Sequence, residues 1–427
     1  MTKLGGYMGK VLIIDVKNRT TSLYPWTDAD RELFLGGKIM AAKIIRDNVS
    51  PKVEAFDEEN ILVISTGPLT GTSAPCSSRF NISTISPLTG LITSSNCGGD
   101  FGLHLKKAGY DALIIKNKSE SPIWIEINED QVLFHDAKEL WGKRVSETQK
   151  ALDSKSGKLV IGPAGENLVK YASIFSGERA AGRGGVGAVM GDKNIKAITA
   201  KGSYKPKVVD VEGTKEFYKK WINSLRSHPL TGKQLPTFGT AGLVSLMQYR
   251  NVLATKNFTY GSYTDFEKVS GERLRKDFLV RNRGCVTCPI QCGRQVEIDG
   301  KVVKGPELET LALLGPNILN DDLELILRWN LELDELGMDT ISTGGTIAFA
   351  MELNEKGLWK NGLEFGKTDN LLAVFEDIAY RKGIGDELAE GTRYLSRKYG
   401  GVEFAMHSKG MELSAYEPRA AVGQGLG

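Results

Sequence analysis

What is scarce in this chain narrows its class. There are only four histidines and five cysteines in 427 residues. That is too few cysteines for a disulfide framework, and three of the five fall in one short stretch, as at a metal site in a reducing compartment. No charge of one sign dominates: 55 basic residues against 52 acidic leave +3, too mild to imply a nucleic-acid partner. Tails of like charge and low-complexity tracts are absent. Long apolar runs are missing as well. The N-terminal run from Val11 is cut by Asp15, too short for a signal-peptide core, and nowhere is there the stretch of ~18 apolar residues that a membrane span requires. These absences point to a cytoplasmic protein with an ordinary globular core.

Glycine, in contrast, is abundant, at 49 of 427 residues against a typical ~7%. It concentrates in "GPLTGTSAP", "SSNCGGDFG" and "GRGGVGAVMG". Glycine lets backbone approach a ligand closely, and it equally marks a turn-rich β domain. The surrounding residues, 1–205, do read as β-rich: "KVLIIDV", "NILVIST", "DALIIKN", "PIWIEIN", "QVLFHD", "KLVIGP" and "KAITAKG" are short apolar or alternating runs between turn signals. After "KGSYKPKVVDVEG" the period changes to 3.6, and "GTKEFYKKWINSLRSH", "DDLELILRWNLELDELG", "DTISTGGTIAFAMELNEKG", "DNLLAVFEDIAYRKG" and "GDELAEGTRYLSRKYG" read as amphipathic helices. The expected class is α+β, with a β-rich base domain over 1–205, a helical domain over 206–380 and the start of a second helical domain over 381–427.

"RNRGCVTCPIQCGR" places Cys285, Cys288 and Cys292 within eight residues. The C-x2-C-x3-C spacing is close to loops that aim several thiolates at one four-iron four-sulfur cubane. A structural zinc would need a fourth cysteine or histidine nearby, and uncoordinated thiols are the third reading. In "LELDELGMDT" a helix is expected to stop at Gly337, with Asp339 or Thr340 capping the next one. Asp334 lies one turn inside that helix end, so carboxylates flank a glycine break across which a polar ligand could lie. "GERAAGRGGVGAVMG" combines arginines with glycines, as suits a phosphate-bearing cofactor, without the spacing of a phosphate-binding P-loop or a dinucleotide fingerprint. "AMHSKG" offers His407 and "KGPELET" offers Glu307 and Glu309, each as readily structural as catalytic. Arg273, Arg275, Lys276, Arg281 and Arg283 form a basic run that suits a negatively charged cluster, an acidic electron carrier or a solvated face equally well.

Taken in order, "GKVLIIDV", "GPLTGT", "SSRFNISTISPLTG", "SSNCGGDFG", "IGPAGENLVKYASI", "GRGGVGAVMGDKNIKAI", "GCVTCPIQCGR", "GPELET", "DELGMDTIS" and "KGMELSAYEPR" resemble the tungsten-containing aldehyde:ferredoxin oxidoreductase family over essentially the whole chain. The resemblance implies a β-rich base that carries tungsten (or molybdenum) bound by two pterin dithiolenes, with magnesium bridging the pterin phosphates and a four-iron four-sulfur cluster alongside. It places Cys285, Cys288 and Cys292 on the cluster, and Asp334, Gly337 and Asp339 in a pterin motif D-x-x-G-L-D with Met338 in place of leucine. Arg79, Asn96 and Gly98 fall where the family contacts pterin, phosphate and magnesium, with Arg179, Ala180 and Arg183 as similar candidates. His407 is implied near the metal, Lys409 near a pterin, and Glu307 or Glu309 in the substrate pocket.

The implied reaction is oxidation of a small aldehyde to a carboxylate, with ferredoxin as electron acceptor. The implied assembly is a homodimer or a subunit of a complex. The family continues past the equivalent of Gly427 with D-x-x-G-L-C, whose cysteine is the fourth cluster thiolate. That ligand is therefore expected from outside these 427 residues, and neither Cys76 nor Cys97, both in the pterin-facing β domain, is expected to replace it. Two alternatives accompany this reading: the tungsten subunit of a larger complex such as an aromatic-acyl-CoA reductase, and an inactive truncated member or simple iron–sulfur carrier.

Overall fold

The apolar run Ala112–Lys116 becomes a strand because its side chains are buried on two faces at once. In the run Ala112–Lys116 the first four residues are all buried. Leu113 and Ile115 point into one hydrophobic core and Ala112 and Ile114 into another, the period-2 alternation of a strand. The computed structural model describes residues 2–129 and 131–425. The chain divides into two compact units: the first runs to Ser224 and also takes in Cys285–Pro289 and Glu335–Met338, and the second holds the remainder.

Two six-stranded sheets make up the strand framework of the first unit. The first sheet contains β1 (Val11–Asp15), β2 (Thr20–Leu23), β3 (Leu62–Thr66), β4 (Phe80–Ile85), β5 (Ile92–Cys97) and β6 (Ala112–Lys116), in the spatial order 2-1-6-3-4-5. The second contains β7 (Ile123–Asn128), β8 (Gln131–Asp136), β9 (Gly157–Val160), β10 (Ile174–Ser176), β11 (Arg179–Ala181) and β12 (Ile195–Lys201), in the order 11-10-9-12-7-8. β1 runs parallel to β6 and β12 parallel to β7. Leu12, Ile64, Ile82 and Leu113 of the first sheet share one core with Ile125, Leu159, Ile174 and Ile198 of the second. Each such side chain contributes roughly 1.5–3 kcal/mol by leaving water. The helix Gly37–Asn48 covers the other face of the first sheet through Met40, Ala41, Ile44 and Ile45.

β4 and β5 escape an apolar-periodicity reading because small polar residues fill their buried positions. Asn81 donates to Ser83 Oγ at 2.7 Å, and the Ser83 and Ser94 hydroxyls lie 2.8 Å apart, so these groups satisfy one another inside the sheet.

The second unit is mostly helical, as its 3.6-residue period predicts, with two differences. The segment expected as one helix near 385–400 is two, Ile384–Leu388 and Thr392–Tyr399, with Gly391 at φ +83° between them. The helix Thr340–Glu355 is not amphipathic: every residue from Ser342 to Leu353 is buried. Its serines, threonines and glycines are small enough for neighbours to close in on all sides, which a polar-versus-apolar pattern hides. A three-stranded antiparallel sheet, β13 (Leu279–Arg283), β14 (Gly293–Ile298) and β15 (Lys301–Lys304), was not legible in the sequence. The ribbon β16 (His407–Ser408) and β17 (Met411–Glu412) lies near the end of the described chain. Among the described residues no helix is long and apolar enough to cross a membrane.

Candidate functional site

In the first unit the candidates gather along β5. β4 and β5 pair with Phe80 opposite Cys97 and Asn81 opposite Asn96. Arg79, just before β4, donates its Nε to Oδ1 of Asn96 and its Nη2 to the Asn96 carbonyl at 3.4 Å. The Asn96 amide in turn donates to the Phe80 carbonyl at 3.2 Å. Ser95 Oγ accepts the Arg183 N–H at 3.0 Å. Gly98 follows β5, where a Cβ would stand 2.7 Å from Cys285 Sγ and 3.4 Å from Arg179 Cγ. Any side chain there would displace the thiol. Arg179 and Ala180 lie on β11, with Ala180 opposite Phe175 of β10. Arg79, Asn96, Gly98, Arg179, Arg183 and Cys285, scattered over two hundred residues of sequence, thus meet at or beside one strand.

The connection between β13 and β14 carries all three clustered cysteines, each half-buried. Cys285–Pro289 belongs to the first unit and Cys292 to the second. The Cys288 N–H donates to the Cys285 carbonyl at 3.1 Å, closing a tight turn. Thr287, at φ +60°, donates its hydroxyl to the Ala74 carbonyl at 3.0 Å. The structure also places Cys76 here, its Sγ 3.6 Å from Cys288 Sγ. Near Cys292, the buried guanidinium of Arg294 donates Nη1 to the Gln291 and Gly293 carbonyls at 2.9 and 2.8 Å. Burial pushes the Arg294 pKa down, and negative charge on Cys292 opposes that shift. Among the described residues no three His, Cys, Asp or Glu side chains converge on the position of a single metal ion. A cubane needs a different arrangement, with thiolates spread around it, one to each iron.

The stretch 334–339 divides its duties. Asp334 forms an ion pair with Lys304 Nζ at 2.8 and 3.2 Å. Asp339 caps the helix Thr340–Glu355, its two oxygens accepting the Ile341 and Ser342 N–H groups at 3.2 Å each, so the capping role read from sequence is present. Gly337, at φ +86°, belongs to the first unit and accepts the Ser173 N–H at 2.8 Å. A Cβ on Gly337 would lie 2.8 Å from the Gly162 nitrogen. Met338 bridges to Ala172.

Of the remaining candidates, all in the second unit, Glu309 accepts the Ala415 N–H at 2.7 Å. Its charge joins burial in raising the pKa of Tyr416. Glu307 stands at the entry of the helix Leu308–Leu313 without a side-chain cap bond there. His407 is half-buried and accepts the Gly410 N–H on Nδ1 at 3.2 Å. Burial lowers its pKa, Arg393 and Arg397 reinforce that, and Glu412 opposes it. The imidazole is therefore neutral, with its proton on Nε2. Lys409, at φ +55°, is exposed, and its carbonyl accepts from Arg393 at 2.7 Å. In the basic run Arg273, Arg275, Lys276, Arg281 and Arg283 are all exposed, as a docking face for an acidic carrier and a solvated face both require.

Two family models match this sequence: the N-terminal domain of aldehyde ferredoxin oxidoreductase over residues 11–202, and domains 2 and 3 over residues 216–427. The chain belongs to the aldehyde ferredoxin oxidoreductase family. It is 42% identical to the tungsten-containing aldehyde ferredoxin oxidoreductase of Thermococcus kodakarensis and 43% identical to that of Pyrococcus furiosus, in each case over 99% of this chain and 72% of the relative. It is 31% identical over 97% of its length, and 72% of the relative, to an aliphatic sulfonate oxidoreductase WOR-like subunit of Pyrococcus furiosus. Among solved structures, the active-site complex BamBC of benzoyl coenzyme A reductase with 1,5-dienoyl-CoA superposes with a TM-score of 0.87 at 31% identity, over 96% of this chain and 66% of that one. The family is one of oxidoreductases.

The residues fit the groups that membership in the aldehyde ferredoxin oxidoreductase family implies. Three half-buried thiols on one connection, with a buried cation beside the third, are a donor set for an iron–sulfur cluster. The exposed Arg79–Asn96 pair offers cationic and amide donors of the kind phosphates need, with Arg179 of β11 beside Gly98 and Arg183 bonded through its backbone N–H to Ser95. Sequence reasoning did not single out Lys304 or Arg294, and of Cys76 it expected only that it would not replace the fourth cluster ligand. Only Arg294 left a local signal, two residues past Cys292 in "CGR".

Proposed function

We propose that this chain oxidises an aldehyde with water to a carboxylate, RCHO + H2O → RCOO⁻ + 3H⁺ + 2e⁻, and delivers the electrons to ferredoxin in the cytoplasm. The observation that carries this reading is the 43% identity over 99% of the chain to a tungsten-containing aldehyde ferredoxin oxidoreductase. Bound tungsten with two pterin dithiolenes, magnesium on the pterin phosphates and a four-iron four-sulfur cluster would supply the two-electron redox chemistry and its one-electron exit.

This chain's residues bind, orient and hold protons. Cys285, Cys288 and Cys292 would hold the cluster through their sulfurs, with the Arg294 guanidinium beside Cys292. Arg79, Asn96, Arg179 and Arg183 supply donors for the phosphate-bearing cofactor, and Gly98 leaves the room that Cys285 needs. By family likeness Asp334, Gly337, Asp339 and Lys409 are the positions that would contact pterin. With Nδ1 occupied by the Gly410 N–H, His407 offers Nε2–H as a donor to orient a carbonyl oxygen, not a lone pair to take a proton. Glu307 and Glu309 remain the two candidates for proton transfer, with Glu309 also accepting the Ala415 N–H.

A second reading is favoured by the likeness to the BamBC complex and to a WOR-like subunit: the same centre within a larger assembly acting on another substrate. One anaerobic experiment separates the two. The purified protein is assayed for aldehyde-dependent ferredoxin or viologen reduction while its native mass is measured. Reduction by an aldehyde supports the first reading; no reduction across an aldehyde panel, with extra subunits co-purifying, replaces it with the second.

A further inference from the structure

Two cysteines lie outside the cluster loop. Cys97 is fully buried in the core between the sheets of the first unit. Cys76 is half-buried, and its Sγ lies 3.6 Å from that of Cys288. The contact is braced from both sides. The Ala74 carbonyl accepts the Thr287 hydroxyl at 3.0 Å and the Ser77 hydroxyl at 2.8 Å, tying the residue before Cys288 and the residue after Cys76 to one oxygen. Cys76 and Thr287 both sit at φ +60°. This left-handed conformation is strained for a non-glycine residue and persists only where the surroundings impose it.

A sulfur pair at this separation can share a proton. The direction of the bond follows from the cluster assignment, on which this inference rests. A Cys288 thiolate bound to iron has no proton to give, so the donor is the Cys76 S–H. We propose that Cys76 is a positioning residue for electron transfer: its thiol donates a hydrogen bond to the Cys288 sulfur and raises the reduction potential of the cluster. Reduction adds negative charge that spreads onto the ligand sulfurs, and a donor aimed at one of them stabilises the reduced state more than the oxidised one. The cluster thereby becomes a better acceptor for electrons leaving the aldehyde.

The test is a redox titration of anaerobically purified wild-type, Cys76→Ala, Cys76→Gly and Cys76→Ser proteins, followed by electron paramagnetic resonance, with iron and acid-labile sulfide measured in each. The glycine variant removes the thiol while relieving the left-handed backbone, so it reports even if the alanine variant does not fold. Iron content is expected to be unchanged, the midpoint potential to move to more negative values in the alanine and glycine variants, and the serine variant, which keeps a donor, to lie nearer wild type. An unchanged potential at full iron content overturns the proposal. Loss of iron on removing the thiol overturns it too, making Cys76 a ligand. Absence of a cluster from the wild-type protein defeats the functional reading itself, and with it this proposal.

Discussion

Replacing Gly337 with alanine isolates what holds the 335–338 stretch in the first unit. Two costs add. The residue adopts φ +86°, which an L side chain tolerates at roughly 1–2 kcal/mol. The new Cβ would also lie 2.8 Å from the nitrogen and 2.9 Å from the Cα of Gly162. That backbone cannot rotate away as a side-chain tip could, and such overpacking costs roughly 1–3 kcal/mol. The sum is about 2–5 kcal/mol, read as a lower midpoint in urea denaturation. Two controls in the same unit separate the contributions. Gly90 has φ +72° with nothing within 4 Å of the added carbon, so Gly90→Ala carries the backbone cost alone, about 1–2 kcal/mol. Gly67 has the same open space without a positive φ, and Gly67→Ala should be neutral or stabilising by ~0.4–1 kcal/mol. If Gly337→Ala loses no more stability than Gly90→Ala, the close contact with Gly162 is not what that glycine serves.

Other expectations follow from the same geometry. Asp339→Ala orphans the Ile341 and Ser342 amides and should cost ~0.5–2 kcal/mol in denaturant titration, most of it recovered by Asp339→Asn. Lys196 and Glu166 form a buried ion pair in the first unit. Lys196→Met strands the carboxylate and should cost ~3–5 kcal/mol, and adding Glu166→Gln should return part of it. Because burial lowers the His407 pKa, the unfolded chain binds a proton below its reference value of ~6.5 that the folded chain does not. Stability therefore rises with pH through that window and falls on acidification; His407→Gln should flatten the slope between pH 5 and 8, and an unchanged slope would remove the assigned cause. Gly98→Ala, which pushes on Cys285, should lower iron content per chain, whereas Gly67→Ala should leave it intact.

How far the sequence reveals this architecture depends on how local each determinant is. β1, β6, β7 and β12 show as apolar runs because the cores on either side demand them. β5 does not, since its sequence ITSSNC alternates exposed and buried positions with hardly any apolar residue. The helix Thr340–Glu355 is legible as a helix and illegible as a buried one, for its small residues carry no amphipathic stripe. Among site residues, the clustered thiols and the Asp339 cap announce themselves by spacing. The salt bridge of Lys304 to Asp334, 30 residues apart, and the approach of Cys76 to Cys288, 212 residues apart, depend on tertiary structure. The Arg79–Asn96 pair lies between: the resemblance marks both residues, and only the pairing of β4 with β5 shows that they bond to each other.

The central claim is that a glycine-lined strand end and a three-cysteine connection serve a tungsten–pterin centre with a four-iron cluster. Metal, acid-labile sulfide and pterin analysis of the anaerobically purified gene product tests it most directly. The account predicts about four irons for each tungsten, with pterin released on denaturation; zinc bound by Cys285, Cys288 and Cys292 in a protein devoid of pterin would contradict it.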